Sequence, residues 1–467
     1  MVSLADAIIE KDISSVHQLS NYGVDLNQLD EYGFTPLIEA AIIDSVEISK
    51  LLLEKGANPN QPDVIGGTAL HWAAENNNLD LCKLLLSHRA DPNAYNLAGQ
   101  SVLVMPMLRH QNELKQLLIS AGADLIFAQD YLNTKLLGHI FELVGPATIV
   151  SPKNEFVQVD FEGFILEVTL GLIGDSLAQF QNHFAARQLR RYSGLSRFIV
   201  DVLRRAASLI KYQQYRVDRT KEQTRIDSLL NHDPLIIPVG YEGHAITFIK
   251  QGNIWVKCDR REDSRLFDNV MFYQVSHPEK LTSEFIQNLI YQKQTSEFIN
   301  QDVDRILGLH PMTELKIEAQ VSGNCSWANV EATIPALFLL VLMQSSHDPQ
   351  AISYYKTIAL SFFHHWRDWN RDRALNLCIQ SYKDGDPVRK ACKAEILAAI
   401  LFQRCDIDSR LGRERIERIL SLLIDSPYHY VLKNYLQVYY YKSYTEEGKR
   451  FSELLKEYGY PKDKNQR

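Results

Sequence analysis

The 467-residue chain has few cysteines, and their spacing fixes neither a metal site nor a disulfide scaffold. Six cysteines are spread over the chain, with no Cys-x-x-Cys pair and no Cys/His cluster at zinc spacing. So low a cysteine content in a long chain is typical of proteins in a reducing compartment. We therefore expect free thiols, no metal and no cofactor.

Long apolar runs are also missing. The first residues, Met1 to Asp6, lack the basic region and apolar core of a secretory signal. The longest apolar stretch, Ile334 to Met343, contains Pro335 and is too short to span a membrane. We expect this stretch to be a buried helix. An export route that reads a C-terminal signal would leave no mark at the N-terminus.

The chain has no excess of positive charge. Its net charge is −7, which argues against direct binding of nucleic acid through a large basic surface. The basic segment Arg187 to Arg191 and the pair Arg204-Arg205 are local exceptions, interpreted as solvated helix faces. The composition, with 45% hydrophobic and 23% charged residues, is that of a globular protein, and the length predicts two or three domains.

A repeat occupies the start of the chain. A segment of the type Gly-Ala-Asp-Pro-Asn recurs so that residues 27, 60, 93 and 126 are each 33 apart. A second signature interleaves with it, as Gly33-Phe-Thr-Pro-Leu37, Gly67-Thr-Ala-Leu-His71 and the decayed Gly99-Gln-Ser-Val-Leu103. Thr-Pro favours a helix start, and the Leu-Leu-Leu runs at 51–53 and 84–86 belong to a second helix that packs on its neighbours.

These segments resemble ankyrin repeats, and Gly67 to Ala74 matches them most closely. Four repeats extend to about residue 130, with degenerate ends that suit capping repeats. The resemblance implies an all-α array that binds a protein partner, for which the expected contact residues are Asn60, Asn93, His71 and Trp72. It also implies that Asn60 or Asn93 could be modified by an asparaginyl hydroxylase. The alternative is that the repeats only buttress the next domain.

The middle of the chain contains a predicted β-hairpin. Two β-rich runs, beginning at Gly243 and ending at Asp259, flank Gln251-Gly252-Asn253. A Gln251-Gly252 loop places His244 directly opposite Asp259. A Gly252-Asn253 loop pairs His244 with Arg261 and leaves Asp259 diagonally on the same face, whereas a three-residue loop separates the two faces.

Cys325 is the candidate nucleophile that this His/Asp pair would serve. It follows the turn residues Gly323-Asn324 and precedes a predicted helix, where free N–H groups stabilise a thiolate. Gln320 and the backbone N–H of Cys325 are the candidate oxyanion donors. In this interpretation His244 is the base and Asp259 orients it.

The order His244, Asp259, Gln320, Cys325 is similar to that of papain-like cysteine proteases permuted as in the ubiquitin-like-protein and adenovirus-type proteases. The resemblance implies an α/β (α+β) cysteine-protease-like domain over residues 131–345. Two departures are present. The spacing from Gln to Cys is one residue shorter than in the ubiquitin-like-protein proteases, and Asp263 competes with Asp259 for the orienting role.

Residues 346–467 are predicted to be helical. Ile352 to Arg367, Pro387 to Arg404 and Arg413 to Leu423 have helical patterns, and the tyrosine-rich Val431 to Tyr441 is interpreted as a packed helix or a partner surface. The glutamates of the last stretch resemble those in the tails of type IV-secreted effectors: Glu446, Glu447, Glu453 and Glu457. A solvated terminal helix is the alternative.

The whole arrangement, with repeats over 1–130, a thiol module over 131–345 and a helical region over 346–467, resembles the ankyrin-repeat effectors that Legionella injects into host cells. The resemblance implies action in the host cytosol or nucleus. Three functions remain open: a cysteine protease that selects its target through the repeats, a non-enzymatic interaction protein with a protease-like scaffold, and an acyl transferase that passes an acyl group to an amine.

Overall fold

The structure is a computed structural model that describes residues 3–213, 219–261, 270–321, 323–346 and 348–460. Asp263, the alternative to Asp259, lies outside the described residues, as do Ser322 of the segment before Cys325 and the last seven residues of the polar tail.

The first 120 residues form four helix pairs, as expected of the repeats. Thr35 accepts a hydrogen bond from the Ile38 N–H at 3.2 Å and precedes Pro36, so the predicted Thr-Pro helix start is confirmed. Gly56 follows α4 with a φ of +94°, a left-handed exit that suits glycine. The helix bounds are α1 Leu4–Ile9, α2 Ile13–Asn21, α3 Pro36–Ile42, α4 Val46–Glu54, α5 Ala69–Glu75, α6 Leu79–Ser87, α7 Val104–Leu108 and α8 Asn112–Ser120.

A long helix, α9 (Leu125–Phe141), joins the repeats to the rest of the chain. It crosses residue 130, where the sequence places a domain boundary, without a break. The hairpin of β1 (Pro146–Val150) and β2 (Phe156–Asp160) follows, and its Ile149, Val157 and Val159 are buried in the same core as the repeats. The repeats therefore share apolar packing with the segment after them.

The middle region contains an antiparallel sheet with the strand order β3-β4-β5-β6-β7. The expected hairpin forms its second and third strands, whereas β6 and β7 have no counterpart in the sequence-based prediction. The strands are β3 Leu235–Tyr241, β4 His244–Gln251, β5 Ile254–Cys258, β6 Val270–Val275 and β7 Leu309–Leu315. Helices flank them: α10 Leu166–Asn182, α11 Ser193–Ile210, α12 Arg219–Leu230, α13 Ser283–Tyr291 and α14 Val303–Leu307.

Two consecutive helices, α15 (Cys325–Glu331) and α16 (Thr333–Met343), pass through the main core. The whole stretch Cys325–Met343 is long and apolar enough to cross a membrane, with a mean hydropathy of 1.5, but 83% of it is buried inside the protein. It has the surroundings of a core helix, as was predicted for Ile334 to Met343.

The C-terminal region is helical and continues the same core. The helices are α17 Pro349–Asp384, α18 Pro387–Arg404, α19 Arg410–Leu423, α20 Tyr430–Tyr435 and α21 Glu446–Glu457, with a π-helical segment at Leu436–Lys442. α18 has the predicted bounds, and α17 is much longer than predicted. Residues from α9, the sheet and α17 to α21 form one apolar cluster, so the middle and C-terminal regions are packed as a unit.

Candidate active site

The β4–β5 hairpin brings His244 and Asp259 together. Gln251 pairs with Ile254 and Thr247 with Cys258, so the loop is Gly252-Asn253, the second of the two favourable registers. His244 Nε2 lies 3.0 Å from Asp259 Oδ1, and the two side chains are only 19% and 10% exposed. The diagonal arrangement that this loop predicts therefore produces a direct hydrogen bond.

Cys325 is the first residue of α15 and faces this pair. Its thiol makes a hydrogen bond with the His244 side chain and is also contacted by the backbone N–H groups of Ala245 and Ser326. Because His244 Nε2 is bonded to Asp259, Nδ1 is the ring nitrogen that remains for Cys325. The imidazole therefore lies between a carboxylate and a thiol.

The surroundings favour the charged forms of both groups. Burial lowers the pKa of His244, but the hydrogen bonds and charges of Asp259 and Cys325 outweigh it and raise the pKa to about 9. Burial raises the pKa of Cys325, but the hydrogen bonds from His244 and from the Ala245 N–H outweigh it and lower the pKa. Both shifts favour the thiolate–imidazolium form of the pair, which is the form of an activated thiol.

The other five cysteines have the opposite shift. Burial raises the pKa of each: Cys82 and Cys405 to about 12, Cys378 and Cys392 to about 11, and Cys258 as well. Cys325 is thus the chain's one thiol with a lowered pKa. The chain therefore contains its own set of inert thiols for comparison.

Gln320 lies beside the hairpin. Its backbone N–H donates to the Arg260 carbonyl at 2.7 Å, next to Asp259. Its side chain is 7% exposed, and Oε1 has no hydrogen-bond partner within the described part of the chain. Gln320 is therefore held near the pair, with one side-chain oxygen unsatisfied.

Asn329, which the sequence-based search missed, ties the site together. It lies one helical turn after Cys325 and is buried. Its Nδ2 donates to the Ala245 carbonyl at 2.6 Å, and its Oδ1 accepts from the Arg260 N–H at 2.7 Å. One side chain therefore fixes the neighbours of both His244 and Asp259. The i, i+4 spacing of Cys325 and Asn329 on one helix face is a signal that could have found it.

The turn before Cys325 is held by α9. His139 is buried, and its Nδ1 lies 2.6 Å from Asn324 Oδ1. Its ring stacks on Trp327 with the ring centroids 5.9 Å apart. Burial lowers the pKa of His139 to about 4, so the ring is neutral and donates from Nδ1 to the amide oxygen. The helix that leaves the repeats therefore contacts the residue before the candidate nucleophile.

A recess is also present on the surface of the repeats. It has a volume of about 530 Å³ and is lined by His71 and Trp72, together with Ile65 and Met105. Trp72 donates from Nε1 to Asp63 at 3.1 Å, and burial lowers the pKa of His71 to about 4. Two of the four expected partner-contact residues therefore line this groove.

The other two, Asn60 and Asn93, connect neighbouring repeats. Asn60 accepts from the Asp91 N–H at 2.7 Å and donates to the Arg89 carbonyl at 2.9 Å. Asn93 makes the same two bonds with Asp124 and Gly122, one repeat further along the chain. Both amide groups are therefore occupied between repeats.

No group of three or more His, Cys, Asp or Glu side chains that could hold a metal ion occurs in the portion of the chain that the structure covers.

Comparisons with known proteins agree with the repeat and with the full architecture. A family model of ankyrin repeats, in three copies, matches residues 4–96. A solved structure described as that of the Legionella effector AnkH has 41% sequence identity and a TM-score of 0.84, and the match covers 100% of this chain and 99% of that one. The search of curated proteins found no significant match.

Proposed function

The chain belongs to the Legionella ankyrin-repeat effector family of AnkH, and on that premise we propose that it is a cysteine protease that acts on a protein of the host cell. The observation that carries the proposal is the continuous hydrogen-bonded series Asp259, His244, Cys325. The ankyrin repeats bind the host protein and thereby select the substrate.

The arrangement of the site favours a papain-like fold. The thiol is at the start of a core helix, while the base and its carboxylate are on a hairpin of the sheet that packs against that helix. Such a division lets the substrate enter between a helical part and a β part. A thiol, a base and an orienting group in one hydrogen-bonded series form the constellation that papain-like proteases share.

The reaction begins with the Cys325 thiolate, which attacks the scissile carbonyl carbon and forms a C–S bond. The negative charge moves to the carbonyl oxygen, where the Cys325 N–H and the Gln320 side-chain amide donate hydrogen bonds. The C–N bond breaks as the His244 imidazolium gives its proton to the leaving amine. His244 then takes a proton from water, which attacks the thioester. Breakage of the C–S bond releases the acid and the Cys325 thiolate, so the thiolate–imidazolium pair is restored.

Selective alkylation tests the thiolate. At pH 6, iodoacetamide should modify Cys325 in preference to the five cysteines with raised pKa values, because its lowered pKa favours the reactive thiolate. Peptide mass spectrometry measures the modified fraction of each cysteine. His244→Ala should remove the preference for Cys325, since the imidazolium that stabilises the thiolate is absent.

Cleavage itself is tested with the paired variant Cys325→Ala. Host-cell lysate proteins that wild type cleaves should stay intact with the variant. Cleavage that persists in Cys325→Ala would exclude this thiol as the nucleophile. Transfer of an acyl group to an amine, the related reaction, would instead leave a partner of increased intact mass.

A non-enzymatic interaction protein is the alternative function, and the groove around Trp72 and His71 favours it. This groove is on the repeats and does not need the thiol. Trp72→Ala should abolish capture of the host protein, whereas Cys325→Ala should leave both capture and the cellular effect unchanged. A cellular effect lost in Cys325→Ala contradicts the alternative.

We also propose how the protein reaches the host cell and how its repeats are modified there. The glutamates that resemble a type IV secretion signal are in or next to α21, and the protein is delivered by that route to the host cytosol or nucleus. A translocation reporter should lose its signal when Glu446, Glu447, Glu453 and Glu457 are all replaced by glutamine.

Hydroxylation of Asn60 or Asn93 by an asparaginyl hydroxylase should add one oxygen to the corresponding peptide, which mass spectrometry detects.

A further inference from the structure

The two carboxylate oxygens of Asp259 contact two different basic side chains, His244 and Arg261. Oδ1 lies 3.0 Å from His244 Nε2, while Oδ2 accepts from Arg261 Nε at 2.8 Å and lies 2.7 Å from a terminal nitrogen of the same guanidinium. Both guanidinium nitrogens contact the same oxygen, so Arg261 holds Oδ2 with charge-assisted contacts and leaves Oδ1 for the imidazole. The oxygen that faces the imidazole is therefore determined by the arginine.

Arg261 is itself held by Asn300. A terminal nitrogen of Arg261 donates to Asn300 Oδ1 at 2.9 Å, and Lys257 Nζ donates to the same oxygen at 2.8 Å. The Asn300 amide nitrogen donates to the Ser296 carbonyl at 2.9 Å. Asn300 is thus fixed on both sides of its amide group.

Asn300 also approaches the histidine side of the site. Its amide nitrogen lies 3.5 Å from the Tyr241 hydroxyl, and the Tyr241 ring meets the His244 ring edge to face, with centroids 5.5 Å apart. Asn300 belongs to the π-helical segment Phe298–Asp302. Such segments are rare and frequently occur at functional sites, where the wider turn changes the direction of a side chain.

We propose that Arg261, fixed by Asn300, is a positioning residue for the reaction of the proposed protease, because it orients Asp259 toward His244 and sets the electrostatic field on the base and the thiol. The inference rests on the proposed function. It assigns to Arg261 a role that its partly exposed side chain would not suggest, since 40% of that side chain is accessible to solvent.

The sign of the electrostatic effect follows from the charges around the imidazole. Within the described ranges, His244 interacts with Asp259, Cys325 and the Tyr241 ring. The cations Arg261 and Lys257 and the carboxyl of Asp304 lie beyond Asp259. Arg261 adds positive charge that opposes the imidazolium and favours the thiolate. While Asp259 keeps its bond to His244, removal of this charge should raise the pKa of His244, and it should also raise the pKa of Cys325.

The first measurement is the pH dependence of iodoacetamide alkylation. In Arg261→Met, the rise of Cys325 alkylation should move to higher pH, because the thiolate has lost a nearby cation. Arg261→Lys should keep the wild-type midpoint, since the charge remains. Arg305→Met is the matched control, because Arg305 is on α14 and its ion pair is with Asp302. A midpoint shared by wild type and Arg261→Met, with the protein folded, would overturn the inference.

The second measurement separates this inference from the proposed function. In the Cys325→Ala background, NMR follows the titration of His244, whose signal is assigned by comparison with His244→Gln. Adding Arg261→Met should raise the His244 pKa, and adding Arg305→Met should not. An unchanged His244 pKa overturns the role of Arg261, whereas ordinary thiol reactivity of wild-type Cys325 overturns only the protease.

Discussion

At the residue scale, Asn329 is the side chain on which the site geometry depends most. It bonds the Ala245 carbonyl and the Arg260 N–H, which are adjacent in sequence to the base and to its carboxylate. The residue is 1% exposed, so water cannot replace these two bonds. A single amide on the helix of Cys325 thus holds both ends of the hairpin against that helix.

Asn329→Leu should destabilise the fold and disorder the site. Two buried backbone groups lose their partners at about 1–3 kcal/mol each, and the His244–Asp259 hairpin is released from α15. Chemical denaturation measures the loss of stability, and iodoacetamide at pH 6 measures the loss of Cys325 selectivity. Asn182→Leu is the control, since Asn182 is exposed and bonds only within its own helix. Equal stability of the two variants would contradict this role of Asn329.

At the scale of elements, neighbouring repeats are joined by the same hydrogen bond at regular intervals. Asn27, Asn60 and Asn93 each accept from a backbone N–H in the next repeat at 2.7 Å. Because a repeat array contacts only its neighbours, its stability depends on such interfaces. The asparagine that recurs in the sequence pattern therefore has a structural role, which is to join neighbouring repeats.

Asn60→Ala should loosen the contact between two repeats. The loss of two partly exposed hydrogen bonds costs about 1–2 kcal/mol in total, and the effect should stay local. Hydrogen exchange measures it as faster exchange at Asp91 and its neighbours, with α9 unchanged. Asn112→Ala, at the exposed start of α8, serves as the control. Uniformly faster exchange over the whole chain would contradict a local role.

At the scale of the whole molecule, a buried ionic network joins α9, the hairpin, α15 and α17. Glu142 Oε1 lies 3.0 Å from Arg260 and 2.8 Å from Arg367, and the second buried carboxylate, Glu331, lies 3.8 Å from both arginines. Trp327 donates to Glu331 at 2.7 Å. Since Arg260 follows Asp259, the C-terminal region is connected directly to the candidate active site.

Arg367→Met should be strongly destabilising, because it removes one of the two arginines that pair with both buried carboxylates. The expected cost is about 3–5 kcal/mol. Thermal unfolding measures it, and Cys325 alkylation at pH 6 should fall as well. Arg410→Met removes only an exposed pair with Glu414 and should cost less than about 1 kcal/mol. A small change in Arg367→Met would mean that the network is not needed to hold the regions together.

Local sequence pattern is sufficient to predict part of the fold and part of the site. The 33-residue period predicts the repeats, and Gln251-Gly252-Asn253 predicts the hairpin, which places His244 and Asp259 on one face in two of its three loop registers. The position of Cys325 at the start of a helix also follows from its neighbours. These features span a few dozen residues at most, and their hydrogen bonds form between residues close in the chain.

The remaining residues of the site come from distant parts of the chain and are brought together by folding. Asn300 on Arg261, Asn329 across the hairpin, His139 on Asn324 and Arg367 on Glu142 are contacts between residues about 40 to 230 positions apart, and periodicity carries no information at that range. The continuity of α9 across residue 130 belongs with them, since apolar residues on both sides pack into shared cores. Burial of paired charges in a common core is a property of the folded chain, so local sequence could not predict it.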